Sequence, residues 1–192
     1  DLFDQAGPDA KQAAARIAAA MLAPLAESAI TEDSVVRMGI YSLPRWKSLI
    51  GELSSPVFFQ QEGTLIVWHR QDSSDAERFI AHLHKNSLHN PQLPKAQALN
   101  SEALREIEPE VSERFNQGLY LPNEGQLDNR QLLDALAIEL ERLSVKCHWH
   151  NAINPESLRD LGLYDQVIDC RGTGAQTAWN TSQKALRGVR GE

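Results

Sequence analysis

The sequence predicts a mixed α/β fold. Short β-prone runs and helical patterns follow one another as strand, helix, hairpin, helix, strand, helix, strand, strand, an order that suits packed layers of both element types. It does not reduce to one simple doubly wound unit, and the hairpin region between about residues 55 and 121 suits a different sheet.

Leu2-Phe3-Asp4 reads as the end of a strand that finishes on a carboxylate. A polar stretch to Gln12 leads into the Ala-rich segment Ala13–Ala26, and a helical pattern runs from about Asp33 to Leu53. In that pattern Val36, Ile40, Leu43, Ile50 and Leu53 share one face, while Pro44 is expected to kink or split the helix. Val57-Phe58-Phe59 and Thr64–Trp68 flank Gln60-Gln61-Glu62-Gly63 and predict a hairpin, with Gly63 supplying a turn conformation closed to most residues. Ser74 and Glu77 have capping-box spacing and open a helix with Ala76, Phe79, Ile80 and Leu83 inward.

The prolines and polar residues of Asn86–Ala98 predict a loop, and Ser101–Ile107 predicts a short helix stopped by Pro109. Leu119–Leu121 is a strand entering the turn Pro122–Gly125. Asp128 or Asn129 can cap the helix Arg130–Leu143, with Leu133, Leu136, Leu140 and Leu143 inward. Val145, Cys147 and Trp149 alternate with Lys146, His148 and His150 as in a half-buried strand. A short helix at Pro155–Leu161 precedes a strand at Asp165–Cys170, which runs into Arg171-Gly172-Thr173-Gly174.

A length of 192 residues fits one or two domains, at about 150 residues each. The content of 42% hydrophobic and 23% charged residues is that of an ordinary globular chain and excludes wholesale disorder. A formal net charge of −7 argues against nucleic acid or an anionic membrane surface as the main partner. The least polar stretch, Ala13–Ala26, holds Arg16 and Pro24 and is too short to span a bilayer. No basic start with an apolar run and cleavage site is visible. The two cysteines, Cys147 and Cys170, make no disulfide framework, so a reducing cytoplasm is the expected compartment.

Cys147, His148 and His150 invite a metal reading, but strand alternation turns Cys147 away from both histidines and no second ligand cluster accompanies them. No metal is therefore expected. His82 and His84 stand two apart on a helix and point to different sides. There is no G-x-S-x-G elbow, and Cys170, after a β-prone run, reads as a small buried hydrophobe. Gly172-Thr173-Gly174 is either an ordinary turn or a place where backbone passes close to a phosphate or ring. Asp4 is either a strand-end turn residue or, in a dinucleotide-binding unit, the acceptor for a ribose hydroxyl.

Several segments, read together in order, resemble one family. They are Leu2-Phe3-Asp4, Arg16-Ile17-Ala18-Ala19-Ala20-Met21-Leu22-Ala23-Pro24, Glu62-Gly63-Thr64-Leu65, Gly125-Gln126-Leu127-Asp128, Val167-Ile168-Asp169-Cys170-Arg171-Gly172 and Leu186-Arg187-Gly188-Val189-Arg190-Gly191-Glu192. Their order and spacing over nearly the whole chain resemble the flavin-dependent D-amino acid oxidase (DAO) family, closest to its thiamine-pathway glycine oxidase branch.

The resemblance implies FAD as cofactor. It places part of a Rossmann-like FAD-binding domain in residues 1–54 and 122–180, part of an antiparallel-sheet substrate domain in 55–121, and a return toward that domain in 181–192. By the same resemblance Asp4 binds the adenosine ribose, and Arg16 through Met21, including Ala19 and Ala20, runs along the pyrophosphate and flavin. Met21 stands at the edge of the substrate pocket, Ile153 offers backbone hydrogen bonds to the adenine, and Gly172 to Gly174 pass close to the cofactor. The family's reaction takes a hydride from the α-carbon of an amine or amino acid to flavin N5; the imine hydrolyses and oxygen reoxidises the flavin. A small amine or amino acid is the implied partner, and a homo-oligomer is compatible with it.

The chain departs from the family's pattern in stated ways. Ala20 stands where the branch often has glycine. The first strand and Gly-rich phosphate loop would precede Asp1, and the substrate-binding tyrosine and carboxylate-binding arginine would follow Glu192. The resemblance therefore implies an internal piece of such an oxidoreductase, expected to bind FAD weakly or not at all without the pyrophosphate cradle. No catalytic residue is assigned, and Arg187 and Arg190 are expected to be structural. Two other readings stand beside this one: a related flavin domain that modifies a tRNA wobble uridine, and an inert fragment that keeps the fold without the chemistry.

Overall fold

The computed structural model describes residues 1–175. The chain divides into two units, Asp1–Ala18 with the segment from Leu140 onward, and Ala19–Glu139. The expectations for Leu186–Glu192, and for residues 181–192 as a return to a substrate domain, lie outside the described residues. In chain order the elements begin β1 (Leu2–Phe3), α1 (Ala14–Ile17), β2 (Met21–Leu22), α2 (Pro24–Glu27), α3 (Asp33–Glu52), β3 (Phe59–Gln60), β4 (Thr64–Val67) and α4 (Ser73–His89). They continue β5 (Gln97–Asn100), α5 (Ser101–Ile107), α6 (Pro109–Ser112), β6 (Gln117–Leu121), β7 (Gly125–Leu127), α7 (Asn129–Arg142), β8 (Cys147–His148) and α8 (Pro155–Asp160). The class is mixed α/β, as the sequence predicts, and the described residues form one parallel strand pair and two antiparallel sheets.

In the unit Ala19–Glu139 the sheets have strand orders β2-β7-β3 and β4-β6-β5. Leu25, Val36, Leu83, Leu93, Leu119 and Leu121 form its core, with Ile40, Ile66, Phe79 and Ile80 packed against it. The inward stripes predicted for α3 and α4 are thus those that pack. Helix α3 runs unbroken through Pro44. Val36, Ile40 and Leu43 before the proline and Ile50 after it are buried or half-buried, so tertiary packing supports the helix on both sides of the proline.

The predicted hairpin does not form. Phe59–Gln60 pairs with β7 and Thr64–Val67 with β6, so the two runs join different sheets. Both pairings are antiparallel to the same later stretch, with the register slipping by one residue between Gln60↔Gln126 and Thr64↔Leu121. That slip has the form of a bulge, which bends a ribbon and splits one ladder into two. Gly63 sits at the bend with φ +93°, its N–H donating to the Glu124 carbonyl at 2.9 Å.

Other local expectations also change. The Ser74–Glu77 capping box is absent as a start, because a 3-10 turn at Arg70–Asp72 leads directly into α4 at Ser73. Within the predicted loop Asn86–Ala98, α4 continues to His89 and β5 begins at Gln97; β5 is an edge strand with mostly exposed side chains, so it carries no hydrophobic alternation to read. On α7 the buried residues are Leu132, Ala135 and Glu139, while Leu133, Leu136 and Leu140 flank them and Leu143 is 59% exposed. Glu139 is admitted to that face because Ser54 Oγ donates to its Oε2 at 3.0 Å. Asp128 caps α7 as predicted, its Oδ1 accepting from the N–H groups of Arg130 and Gln131, both at 2.9 Å.

In the other unit β1 and β8 pair in parallel, Leu2 opposite Cys147 and Phe3 opposite His148. The predicted strand Asp165–Cys170 is irregular and pairs with no strand among the described residues. Val167 is half-buried and Ile168 is 79% exposed, and Cys170 is exposed where a buried hydrophobe was expected.

A Cβ at residue 63 would stand 2.4 Å from the Tyr120 ring, whose hydroxyl is held by the Glu62 carbonyl at 2.6 Å. Gly63→Ala is therefore expected to lose about 2–4 kcal/mol in urea unfolding. A loss below about 1 kcal/mol would show that the bend does not need glycine.

Candidate functional site

Two short parallel strands end side by side, and their carboxyl ends carry Asp4 and the segment Asn151–Ile153. Backbone hydrogen bonds interlock them: Leu2 N–H to Lys146 C=O at 2.9 Å, Asp4 N–H to His148 C=O at 3.2 Å, His150 N–H to Ala6 C=O at 3.0 Å and Asn151 N–H to Asp4 C=O at 2.9 Å. The Phe3 and His148 rings stack with centroids 4.4 Å apart, and Tyr164 meets Phe3 edge-on at 6.4 Å. Tyr164 in turn donates to Asp1 Oδ2 at 2.6 Å. His148, expected on the outer face of a longer strand, instead helps to hold β1 to β8. The strand is only two residues long, and His150 leaves it in the left-handed region with φ +55°.

Asp4 is exposed, and its Oδ1 accepts the Ala6 N–H at 2.7 Å, so it does make the turn the sequence allows. A carboxylate has several acceptor positions, so this contact is compatible with a second donor from a ligand. Ile153 is half-buried, and its backbone makes no hydrogen bond to another described residue. Ligands of open α/β sheets bind beyond the carboxyl ends of parallel strands, which is where Asp4 and Ile153 lie.

The same unit holds Arg16, in the last turn of α1, and a 3-10 turn at Gly172–Ala175. Gly172 has φ +56° with open space where a Cβ would stand, and Gly174 N–H donates to the Arg171 carbonyl at 3.0 Å. Beside this turn Arg171 forms a two-point pair with Asp169, at 2.9 and 2.8 Å. The structure therefore joins Asp4 to the Asn151–Ile153 segment, while the described hydrogen bond of the glycine turn is local.

Ala19, Ala20 and Met21 belong to the other unit. Ala20 has φ +55°, a left-handed conformation that favours glycine. Its carbonyl accepts the Leu127 N–H at 3.3 Å, and Met21 and Leu22 pair with Gln126 and Gly125. The Met21 side chain is 54% exposed.

Glu124 is a residue that sequence reading missed, taking it only as part of a turn. It is 1% exposed, and its Oε1 accepts the Ala26 N–H at 2.8 Å, while Oε2 is buried without a hydrogen-bond partner of good geometry. Burial raises its pKa above the ordinary 4.5, outweighing the contacts from Ala26, the Thr64 hydroxyl and the Leu25 N–H that favour the charged form. A glutamate between Asn and Gly looks like a solvated turn residue, so only the fold reveals its burial.

A family model described as FAD dependent oxidoreductase (DAO) matches residues 2–192. A Rhizobium etli protein described as a thiamine biosynthesis oxidoreductase, ThiO, is 30% identical over 179 residues, covering 93% of this chain and 47% of that protein. The crystal structure of glycine oxidase from Geobacillus kaustophilus shares 20% identity with a TM-score of 0.61, over 77% of this chain and 39% of that one. Iminodiacetate oxidase from Chelativorans sp. shares 15% identity with a TM-score of 0.55, over 79% and 40% of the two chains. These structures show likeness of fold, and the mixed α/β chain matches part of the glycine oxidase fold. The chain spans about half the length of the curated relative it matches. No helix among the described residues is long and apolar enough to cross a membrane.

Relief of the left-handed strain by Ala20→Gly is expected to stabilise the protein by about 0.5–1 kcal/mol in urea unfolding, and a loss of stability would contradict it. Glu124 gives a second expectation. The unfolded chain releases this proton at lower pH than the folded chain, so its contribution to stability falls as pH rises from the ordinary glutamate value to the raised one, then levels. Glu124→Gln should remove that slope. Identical pH dependence of unfolding in wild type and variant would rule out the raised pKa.

Proposed function

Because the chain belongs to the DAO family of FAD-dependent oxidoreductases, we propose that the protein oxidises a small amine or amino acid with FAD, in the manner of a glycine oxidase. The likeness to ThiO supports a place in thiamine biosynthesis, and the two free cysteines are in keeping with a cytoplasmic setting. The net charge of −7 favours a small-molecule substrate over tRNA.

The observation that carries this reading is the interlocked carboxyl ends of β1 and β8. In it the Asp4 carboxylate accepts from a ribose hydroxyl while keeping its Ala6 contact, and the open backbone groups of Ile153 receive the adenine edge. Arg16 contributes positive charge along the pyrophosphate. Gly172 and Gly174 give the backbone a close approach to the cofactor, since a side chain at either would take up that space.

Ala19, Ala20 and Met21 lie along the flavin, with the exposed Met21 at the edge of the substrate pocket. Its thioether is apolar and adaptable, so it excludes water and shapes the pocket without taking part in proton transfer. FAD, when bound, supplies the hydride acceptor; the chain binds and orients the reacting partners. The reading assigns residues 1–54 and 122–180 to the FAD-binding domain and 55–121 to the substrate domain.

Titration of FAD into the protein, followed by flavin fluorescence, tests the ribose contact. Asp4→Ala removes a hydrogen bond to a charged acceptor and should weaken FAD by roughly 10- to 100-fold. Unchanged affinity would remove Asp4 from the site.

A further inference from the structure

We propose that Glu124 is a positioning residue that fixes the segment Ala20–Ala26, the stretch that the functional reading places against flavin and substrate; the proposal rests on that reading for its link to the cofactor. The first N–H groups of a helix have no intrahelical acceptor, and buried ones need a partner. At α2 the preceding residue is Ala23, whose side chain cannot cap, and Ala23, Pro24 and Leu25 are all buried. The acceptor comes instead from Glu124, 98 residues away in sequence, through the 2.8 Å bond from Ala26 N–H to its Oε1.

The other end of the segment is held by the strand that Glu124 precedes. Leu127 N–H donates to the Ala20 carbonyl, and Met21 and Leu22 pair with Gln126 and Gly125. A single run, Glu124 to Leu127, thus grips the segment at both ends. β2 has only two paired residues, and Ala20 is held in a left-handed conformation, so the segment has little local reason to keep its shape. A buried carboxylate with one oxygen unpartnered is costly, and an apolar residue would fill the same space without that cost. What the carboxylate adds is the cap, and through it a fixed path for Met21.

The test compares wild type, Glu124→Ala and Glu124→Gln by amide hydrogen exchange and by FAD titration. Gln keeps a carbonyl oxygen for Ala26. Glu124→Ala should speed exchange of the non-proline amides of Met21–Ala26 about tenfold or more, leave the ladder at Ile66 and Val67 unchanged and weaken FAD about tenfold. Glu124→Gln should return both readouts close to wild type. Unchanged exchange at Met21–Ala26, or exchange that rises equally at Ile66 and Val67, would overturn the positioning role. A loosened segment with unchanged FAD affinity would overturn its link to the cofactor. Failure of wild type itself to bind FAD would instead sink the functional reading, and the exchange comparison alone would then decide the role of Glu124.

Discussion

Gly125 stands where a Cβ would come within 2.6 Å of the Gln60 carbonyl oxygen, so β7 can close against β3 only through a residue without a side chain. Much of the unit Ala19–Glu139 is organised around that close approach. β7 is paired on both edges, with β2 and β3. Glu124 before it caps α2, and Asp128 after it caps α7 while donating its N–H to the Phe58 carbonyl at 3.0 Å. One short run thereby sets the positions of two strands and two helix starts. The preceding strand β6 is the centre of the second sheet, so both sheets are tied to the same stretch of chain.

The other unit depends on a different device. β1 and β8 share only two residue pairs, too few for a ladder to be stable by itself. Stacking of Phe3 on His148, worth about 0.5–1.5 kcal/mol beyond burial, and the hydrogen bonds that continue past the strand ends extend the pairing. Those same extensions, from Asp4 and Asn151, shape the ledge that the proposed function assigns to the nucleotide. Joining the strands and forming the ledge are thus done by one set of contacts.

The features legible in the sequence are those whose cause is local or periodic. The α3 and α4 stripes, the Asp128 cap and the turn glycine Gly63 each announce themselves within a few residues. Strand partners do not. The runs around Phe59 and Leu65 look like a hairpin because they are adjacent, yet their partners lie near Leu127 and Tyr120, and a one-residue slip separates them. Asp4 is legible as a strand-end carboxylate, either a turn residue or a ribose acceptor, and its side chain does make a local turn with Ala6. Ile153 comes only through the resemblance, since its side chain forms no local motif. Glu124 was invisible because a carboxylate in a turn is ordinarily solvated, and its burial is a property of tertiary contacts alone.

FAD-linked oxidation of a small amine is tested most directly by the visible spectrum of the purified protein before and after anaerobic addition of glycine and other small amines. With FAD supplied in excess, flavin bands that bleach on addition of one of them are the expected result. Flavin bands that no amine or amino acid bleaches would contradict it.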